Sequence, residues 1–382
     1  MFDKKLRLAQ LGMGLLICGA CACDGNQQSA KSIDLNVDGF DGLTPTHFDL
    51  LATGCTITNP AAAVGTTPAV LGSVAFTVLD TETLYLFERL ADGQVVANAS
   101  TDATTPTECA FPPTYKINIT SDAGDTSTHK VFLDFNYGAF AMATSAFNSK
   151  TPAGTGPNIV IALTGASNTL LVRGTSHPDV FTFGSLTASS VTTTYGSFAF
   201  GTFVLDKAPA TTGKETAPAA RTFPDLSATG LTAITVATGA GNDVITGQGG
   251  PAIGQKAGIG LLDGTISLTV YGGAGDDIIT SGDVSSNGAL NHLYGNCGSD
   301  TFLQQTALAS DIMVGSGSQG CLSTDVDTAD YSIRTKPLNI TLGDSSPYLP
   351  PSVGTILCPK KSVIADNDGF TINDGTTSAV AF

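Results

Sequence analysis

Tryptophan is absent from this 382-residue chain, lysine and arginine together number only 17, and histidine occurs only as His47, His129, His177 and His292. Each shortage excludes something. With 33 acidic residues and a formal net charge of −16, the chain repels phosphate backbones, and nucleic acid is not an expected partner. No two histidines fall at HExxH spacing and no GxSxG occurs, so zinc-protease and lipase chemistry lack their central residues. Glutamate is nearly missing as well: Glu82, Glu88, Glu108 and Glu215 are the only ones, so the acid is almost all aspartate. Aspartate suits turns and cation-ligating loops, whereas glutamate suits helices. Few long helices are therefore expected, and the low charged fraction of 13% agrees with a β-rich chain.

At the start, Lys4, Lys5 and Arg7 precede an apolar stretch, Leu11 to Ala20, that is too short to span a bilayer. That pattern reads as an export signal over residues 1–20. Its end, Ile17-Cys18-Gly19-Ala20-Cys21, resembles the lipobox of bacterial lipoproteins, with small residues before an acylated cysteine and Cys18 where leucine is usual. The resemblance implies a lipid on Cys21, with Cys23 as the rival acceptor, and a polar tether over residues 21–32. It also implies an exported, membrane-anchored protein at the outer membrane or surface of a Gram-negative cell. Farther on stand Cys55, Cys109, Cys297, Cys321 and Cys358, with no CxxC among them. Dispersed cysteines of this kind point to disulfides in an oxidising compartment. Pairs Cys55–Cys109 and Cys297–Cys321 are expected, because each lies within one proposed structural unit.

From residue 33 to about 150, short alternating runs such as Val74-Ala75-Phe76-Thr77-Val78 and Lys130-Val131-Phe132-Leu133-Asp134 are separated by turn clusters such as Asp122-Ala123-Gly124-Asp125. This is an all-β signature, either a small domain of its own or the first irregular turns of a longer repeat structure. After a Gly/Pro-rich break at residues 151–157, a unit recurs: an alternating strand, a Gly-containing turn, an aspartate, then an apolar residue. The turns read GTSHPDVFT ending at Thr182, TGAGNDVIT at Thr246, GGAGDDIIT at Thr280 and GNCGSDTFL at Leu303, with a degenerate copy around Asp327. Their aspartates are Asp179, Asp243, Asp277, Asp300 and Asp327, unevenly spaced, so insertions are expected between repeats.

These turns resemble the RTX, or haemolysin-type, calcium-binding nonapeptide GGxGxDxUx, in which U is a large apolar residue. Gly272 to Thr280 matches every defined position; Gly174 to Thr182 keeps only the first Gly, Asp179 and Phe181. The resemblance implies a right-handed parallel β-solenoid with insertions over residues 158–335, a β-rich N-terminal domain or cap over 33–150, and a C-terminal strand and cap over 336–382. It implies calcium between successive turns. Gly239, Gly241, Asn242 and Asp243 would serve one loop, Gly272, Gly273, Gly275, Asp276 and Asp277 the next, and Gly298 with Asp300 a weaker third. Charge argues the same way: between Gly239 and Asp330 there are ten aspartates and a single lysine, Lys256, so stacked turns need a cation as neutraliser. Tyr271, Tyr294 and Tyr331 recur beside the turns and are expected to stack as packing residues. With no catalytic constellation in sight, a structural or adhesive role at the cell surface is expected, toward a polysaccharide or protein ligand. A carbohydrate-active β-helix enzyme is the alternative.

Overall fold

The computed structural model describes residues 55–61, 72–78, 83–88, 93–100, 109–143, 157–188, 190–205, 213–216, 218, 224–249, 261–282, 290–303, 311–315, 325–332, 354–357, 371–372 and 380–381. The expected export signal, Cys21, Cys23 and the tether lie outside these residues, as do Cys321 and Cys358. The fold is all-β. Among the described residues the only helical piece is a 3-10 turn, Phe135–Tyr137. Strands gather into one 12-stranded and one 9-stranded sheet and two separate two-stranded ribbons.

The chain passes repeatedly from one large sheet to the other. Ser73–Val78, Lys116–Ser121, Ile159–Ala162, Leu226–Thr229, Val244–Thr246, Ile278–Thr280 and Thr301–Leu303 belong to the 12-stranded sheet. The strands that come after them, Thr83–Glu88, Lys130–Asp134, Asn168–Arg173, Leu231–Ala240, Ser267–Ala274, Asn291–Cys297 and Asp311–Val314, belong to the other. Most neighbours are parallel, as sheets whose strands are joined by crossovers must be. Period-two alternation sends every second side chain inward, and parallel register stacks those side chains into columns. Leu84 pairs with Val131, Val131 with Leu170, Leu170 with Ile234 and Ile234 with Leu268. Across from them run Phe76, Ile119, Ile161 and Ala228. Residues of both sheets form a single buried core, each large aliphatic side chain contributing about 2 kcal/mol by leaving water.

Strands before and after the break at 151–157 pair directly, Ile117 with Ile159 and Val131 with Leu170. The early alternating runs thus share both sheets with the repeats. Cys55 and Cys109 are joined by a disulfide. Cys297 is disulfide-bonded too, and Cys321, its expected partner, lies outside the described residues.

Antiparallel pairs stand at one edge of each large sheet, Thr56–Thr58 on Ser73–Val78 and Thr83–Glu88 on Val95–Ser100, and a further interruption lies inside the 12-stranded sheet. Asp179–Ala188 and Val191–Phe200 form an antiparallel hairpin, in register from Asp179 opposite Phe200 to Ala188 opposite Val191. One arm pairs in parallel with Val244–Thr246 and the other antiparallel with Leu226–Thr229. Phe181, Phe183 and Phe198 on this hairpin are fully buried and meet Phe135 and Phe200 in a cluster with ring centroids 4.9 to 6.0 Å apart.

A buried row of aspartates as the candidate functional site

The glycine-containing turns all carry the chain from the 9-stranded to the 12-stranded sheet, so they lie along one edge, one above another. Register places them in correspondence: Gly239 pairs with Gly273 and Gly273 with Asn296, while Val244 pairs with Ile278 and Ile278 with Thr301. The apolar residue two places after each aspartate, Phe181, Ile245, Ile279 or Phe302, is buried in the core and anchors its turn.

The turns approach so closely that side chains are excluded between them. At Gly273 φ is +104°, and a Cβ there would fall on the carbonyl oxygen of Gly239. Asn296 occupies the corresponding position one turn later with φ +73°, a left-handed conformation that asparagine adopts more readily than other non-glycine residues. Gly272 and Gly295 are required for another reason, since a Cβ on either would strike the carboxylate of Asp277 or Asp300. Thr238, at the same position in the preceding turn, is buried and donates its hydroxyl to the Gly272 carbonyl over 2.6 Å.

Two side-chain ladders fasten successive turns, and they run in opposite senses. In the inner ladder the backbone N–H of each aspartate donates to Oδ1 of the next: Asp179 to Asp243 at 2.7 Å, Asp243 to Asp277 at 2.8 Å, Asp277 to Asp300 at 2.9 Å and Asp300 to Asp327 at 3.1 Å. In the outer ladder the side chain of one turn accepts the N–H of the next. Asp276 donates to Asn242 Oδ1 at 3.1 Å, Ser299 to Asp276 Oδ1 at 2.8 Å and Val326 to Ser299 Oγ at 3.0 Å. Asn242 and Asp276, expected from the sequence as cation ligands, thus each commit one oxygen to the neighbouring backbone. Gly298 N–H donates to Asp325 Oδ2 at 3.1 Å.

The inner ladder leaves a residue of unmet chemistry. Asp243, Asp277 and Asp300 are at most 1% exposed, and Oδ2 of each has no hydrogen-bond partner. A buried unpaired carboxylate oxygen is costly unless the group is protonated or meets a cation. Burial, reinforced by Asp277 and Asp179, pushes the Asp243 carboxyl well above the ordinary range. Burial and then Asp300 do the same to Asp277. Asp300 is raised to about 7, again mainly by burial.

A hard divalent cation fits this donor set: carboxylate oxygens without partners beside turns in which the carbonyls of one turn lie close against the glycines of the next. Among the described residues no three His, Cys, Asp or Glu side chains converge on one point suited to a metal, so an ion here would draw on backbone carbonyls as well. Of the residues expected as ligands, Asp243, Asp277 and Asp300 are brought into one row, and the glycines into the tight approaches between turns. Sequence reasoning missed Ser299, which continues the outer ladder, Asp325, which accepts the Gly298 N–H, and Thr175 and Gly201, which donate to Asp179. Ser299 and Asp325 could have been found from the stacking register of the turns, whereas Gly201 carries no local signal.

On the outward face of the 9-stranded sheet, Tyr271 and Tyr294 stack with centroids 4.9 Å apart and planes 11° from parallel, and Tyr271 is only 5% exposed. Farther along that face Arg173 is buried, paired with Asp134 through Nε at 2.8 Å and through Nη2, and set over the rings of Phe132 and Tyr137. Comparison with family models, with curated proteins and with solved structures finds no match to this chain.

Proposed function

We propose that this protein is an exported calcium-binding lipoprotein whose two sheets are the walls of an RTX-like parallel β-solenoid, and that it acts as a structural or adhesive element at the cell surface. The observation that carries the reading is the buried aspartate row with its three unpartnered Oδ2 atoms. Calcium supplies there the positive charge that the chain itself withholds. Asp243, Asp277 and Asp300 would hold it through their carboxylates, assisted by carbonyls of Gly239, Gly241, Gly273 and Gly275. Those turns approach so closely that the Gly239 and Gly241 carbonyl oxygens lie where Cβ atoms of Gly273 and Gly275 would be. Asn242 and Asp276 position the turns through the outer ladder.

The lipid anchor on Cys21 rests on the lipobox-like end of the export signal. A surface role is inferred from that anchor together with the regular stacking of the repeated turns. The chain's own part in binding is preorganisation: the apolar residue after each aspartate seats the turn in the core, and the two ladders fix the spacing of the carboxylates.

The test is metal content by mass spectrometry of protein purified without chelator, combined with melting curves in calcium and in chelator. Calcium is expected in the purified protein, and its removal is expected to lower the melting temperature. Identical melting with and without the ion, in protein free of bound metal, refutes the reading.

A further inference from the structure

The aspartate row has two unlike ends, and the first is completed by the protein. Asp179 belongs to the row, since its N–H donates to Asp243 Oδ1, yet its own carboxylate is engaged otherwise. Oδ2 accepts the Thr175 N–H at 2.6 Å, and Oδ1 accepts the Thr175 hydroxyl at 2.9 Å and the Gly201 N–H at 3.3 Å. Gly201 lies just after the returning arm of the hairpin, whose Phe200 lies opposite Asp179. The hairpin thus delivers to Asp179 the backbone donor that every later aspartate receives from its predecessor.

Two further features set this turn apart. The later turns hold positive φ at two alternate positions, Gly239 and Gly241, Gly273 and Gly275, Asn296 and Gly298, whereas Thr175 and His177, at the same two places, do not. The backbone carbonyls of the first turn are therefore not rotated as in the others. Pro178 stands where Asp276 and Ser299 donate their N–H groups to a preceding side chain. Proline has no N–H to leave unmet, as suits the edge of a stack. Packing of the second turn on the first is also direct, since a Cβ on Gly241 would strike the backbone of His177 and Pro178.

We infer that the Asp179 turn is a metal-independent cap: Gly201 gives its carboxylate the N–H that a preceding aspartate gives farther along, and Thr175 meets the Oδ2 that in the later turns is left for a cation. The cation row begins at Asp243, and the Asp179 turn is already formed without metal, a template on which the turns of Asp243, Asp277 and Asp300 order when the ion binds. This rests on the calcium reading proposed above and adds to it a polarity and a first site.

The experiment counts bound calcium by native mass spectrometry in the full chain and in Asp179→Asn, Asp243→Asn and Asp277→Asn, and measures amide hydrogen exchange of the wild type in calcium and in chelator. Asp179→Asn is expected to keep the wild-type count, while Asp243→Asn and Asp277→Asn each lose calcium. In chelator, amides of residues 174–179 are expected to exchange at least about tenfold more slowly than those of 239–243 and 272–277. Loss of an ion from Asp179→Asn, or equal exchange of all three turns in chelator, overturns the inference. Wild-type protein that takes no calcium defeats the earlier reading instead, and the exchange comparison still decides whether the cap exists. Should Asp179→Asn fail to fold, Thr175→Val removes only the hydroxyl. Its calcium count is expected to be unchanged and exchange at 174–179 faster, and unchanged exchange there counts against the cap.

Discussion

In calcium-free protein, raising the pH from 5 to 8 is expected to destabilise the fold, the reverse of what paired surface carboxylates produce. The sign comes from the direction of the shifts. A carboxyl whose folded value lies above its unfolded value holds its proton in the native state after the unfolded chain has released it. Stability is then complete at acid pH and is lost as pH climbs through the folded value. For Asp300 the window runs from 3.8 to about 7, of which the part above pH 5 corresponds to about 3 kcal/mol. Asp243 and Asp277, also raised by burial, act in the same direction. Such a loss is a large share of an ordinary domain stability of about 5–15 kcal/mol. Urea unfolding followed by circular dichroism, in chelator at pH 5 and pH 8, measures it. Asp300→Asn keeps an Oδ1 to accept the Asp277 N–H and cannot ionise, so its pH dependence should be flatter by about 3 kcal/mol. Saturating calcium should remove the loss at pH 8 in the wild type by stabilising the ionised carboxylates. A calcium-free wild type as stable at pH 8 as at pH 5, or an Asp300→Asn variant with the full pH dependence, refutes the reasoning.

Gly273→Ala should destabilise by at least about 3 kcal/mol, because φ is +104° and the new Cβ meets the Gly239 carbonyl. Gly124→Ala, with φ +85° but open space around it, should cost about 1 kcal/mol, and urea midpoints compare the two. Replacing Cys55 and Cys109 with serine opens a loop of sequence separation 54 and should cost about 4 kcal/mol by the chain-entropy estimate, read in the same assay. Asp134→Asn strands the buried Arg173 guanidinium and should cost roughly 3–5 kcal/mol, more than Arg173→Met paired with Asp134→Leu, which removes both charges.

The aspartate row is legible in the sequence because one residue per turn must occupy one place. The separations of 64, 34, 23 and 27 residues between successive aspartates are those spanned by the ladder hydrogen bonds. Asn296 reads as a departure from glycine, yet it holds the same left-handed backbone, since conformation and not residue identity is what the turn demands. Asn242 and Asp276 cannot be assigned from sequence between holding a cation and accepting an N–H, because the same oxygens do both. Whether the early runs form their own domain is equally hidden. Alternation such as Val74, Phe76, Val78 looks alike in parallel and antiparallel sheets, and it is the pairings of Ile117 with Ile159 and of Val131 with Leu170 that show the sheets to be shared. The hairpin from Asp179 to Phe200 escapes notice for a related reason: its alternation is that of a strand, and nothing local says that the strand returns.

In-register parallel stacking repeats whatever stands at a position, and the consequences differ by chemistry. A column such as Leu84, Val131, Leu170, Ile234 and Leu268 strengthens with every added strand, and the Tyr271–Tyr294 stack gains area in the same way. A column of aspartates gains a charge per turn instead. This chain resolves that conflict in two ways. Where Asp134 lies beside Arg173 in register, the opposite charge comes from the next strand and the pair is closed. Along Asp243, Asp277 and Asp300 no Arg and only Lys256 occur in the whole span from Gly239 to Asp330, so neutrality must come from protons or from a dissolved cation. The native state of this half of the molecule is thereby coupled to its medium. On the proposed reading, the chain would order its repeats fully only after export into a calcium-rich exterior, and the cap at Asp179 would keep the stacking register in place until then.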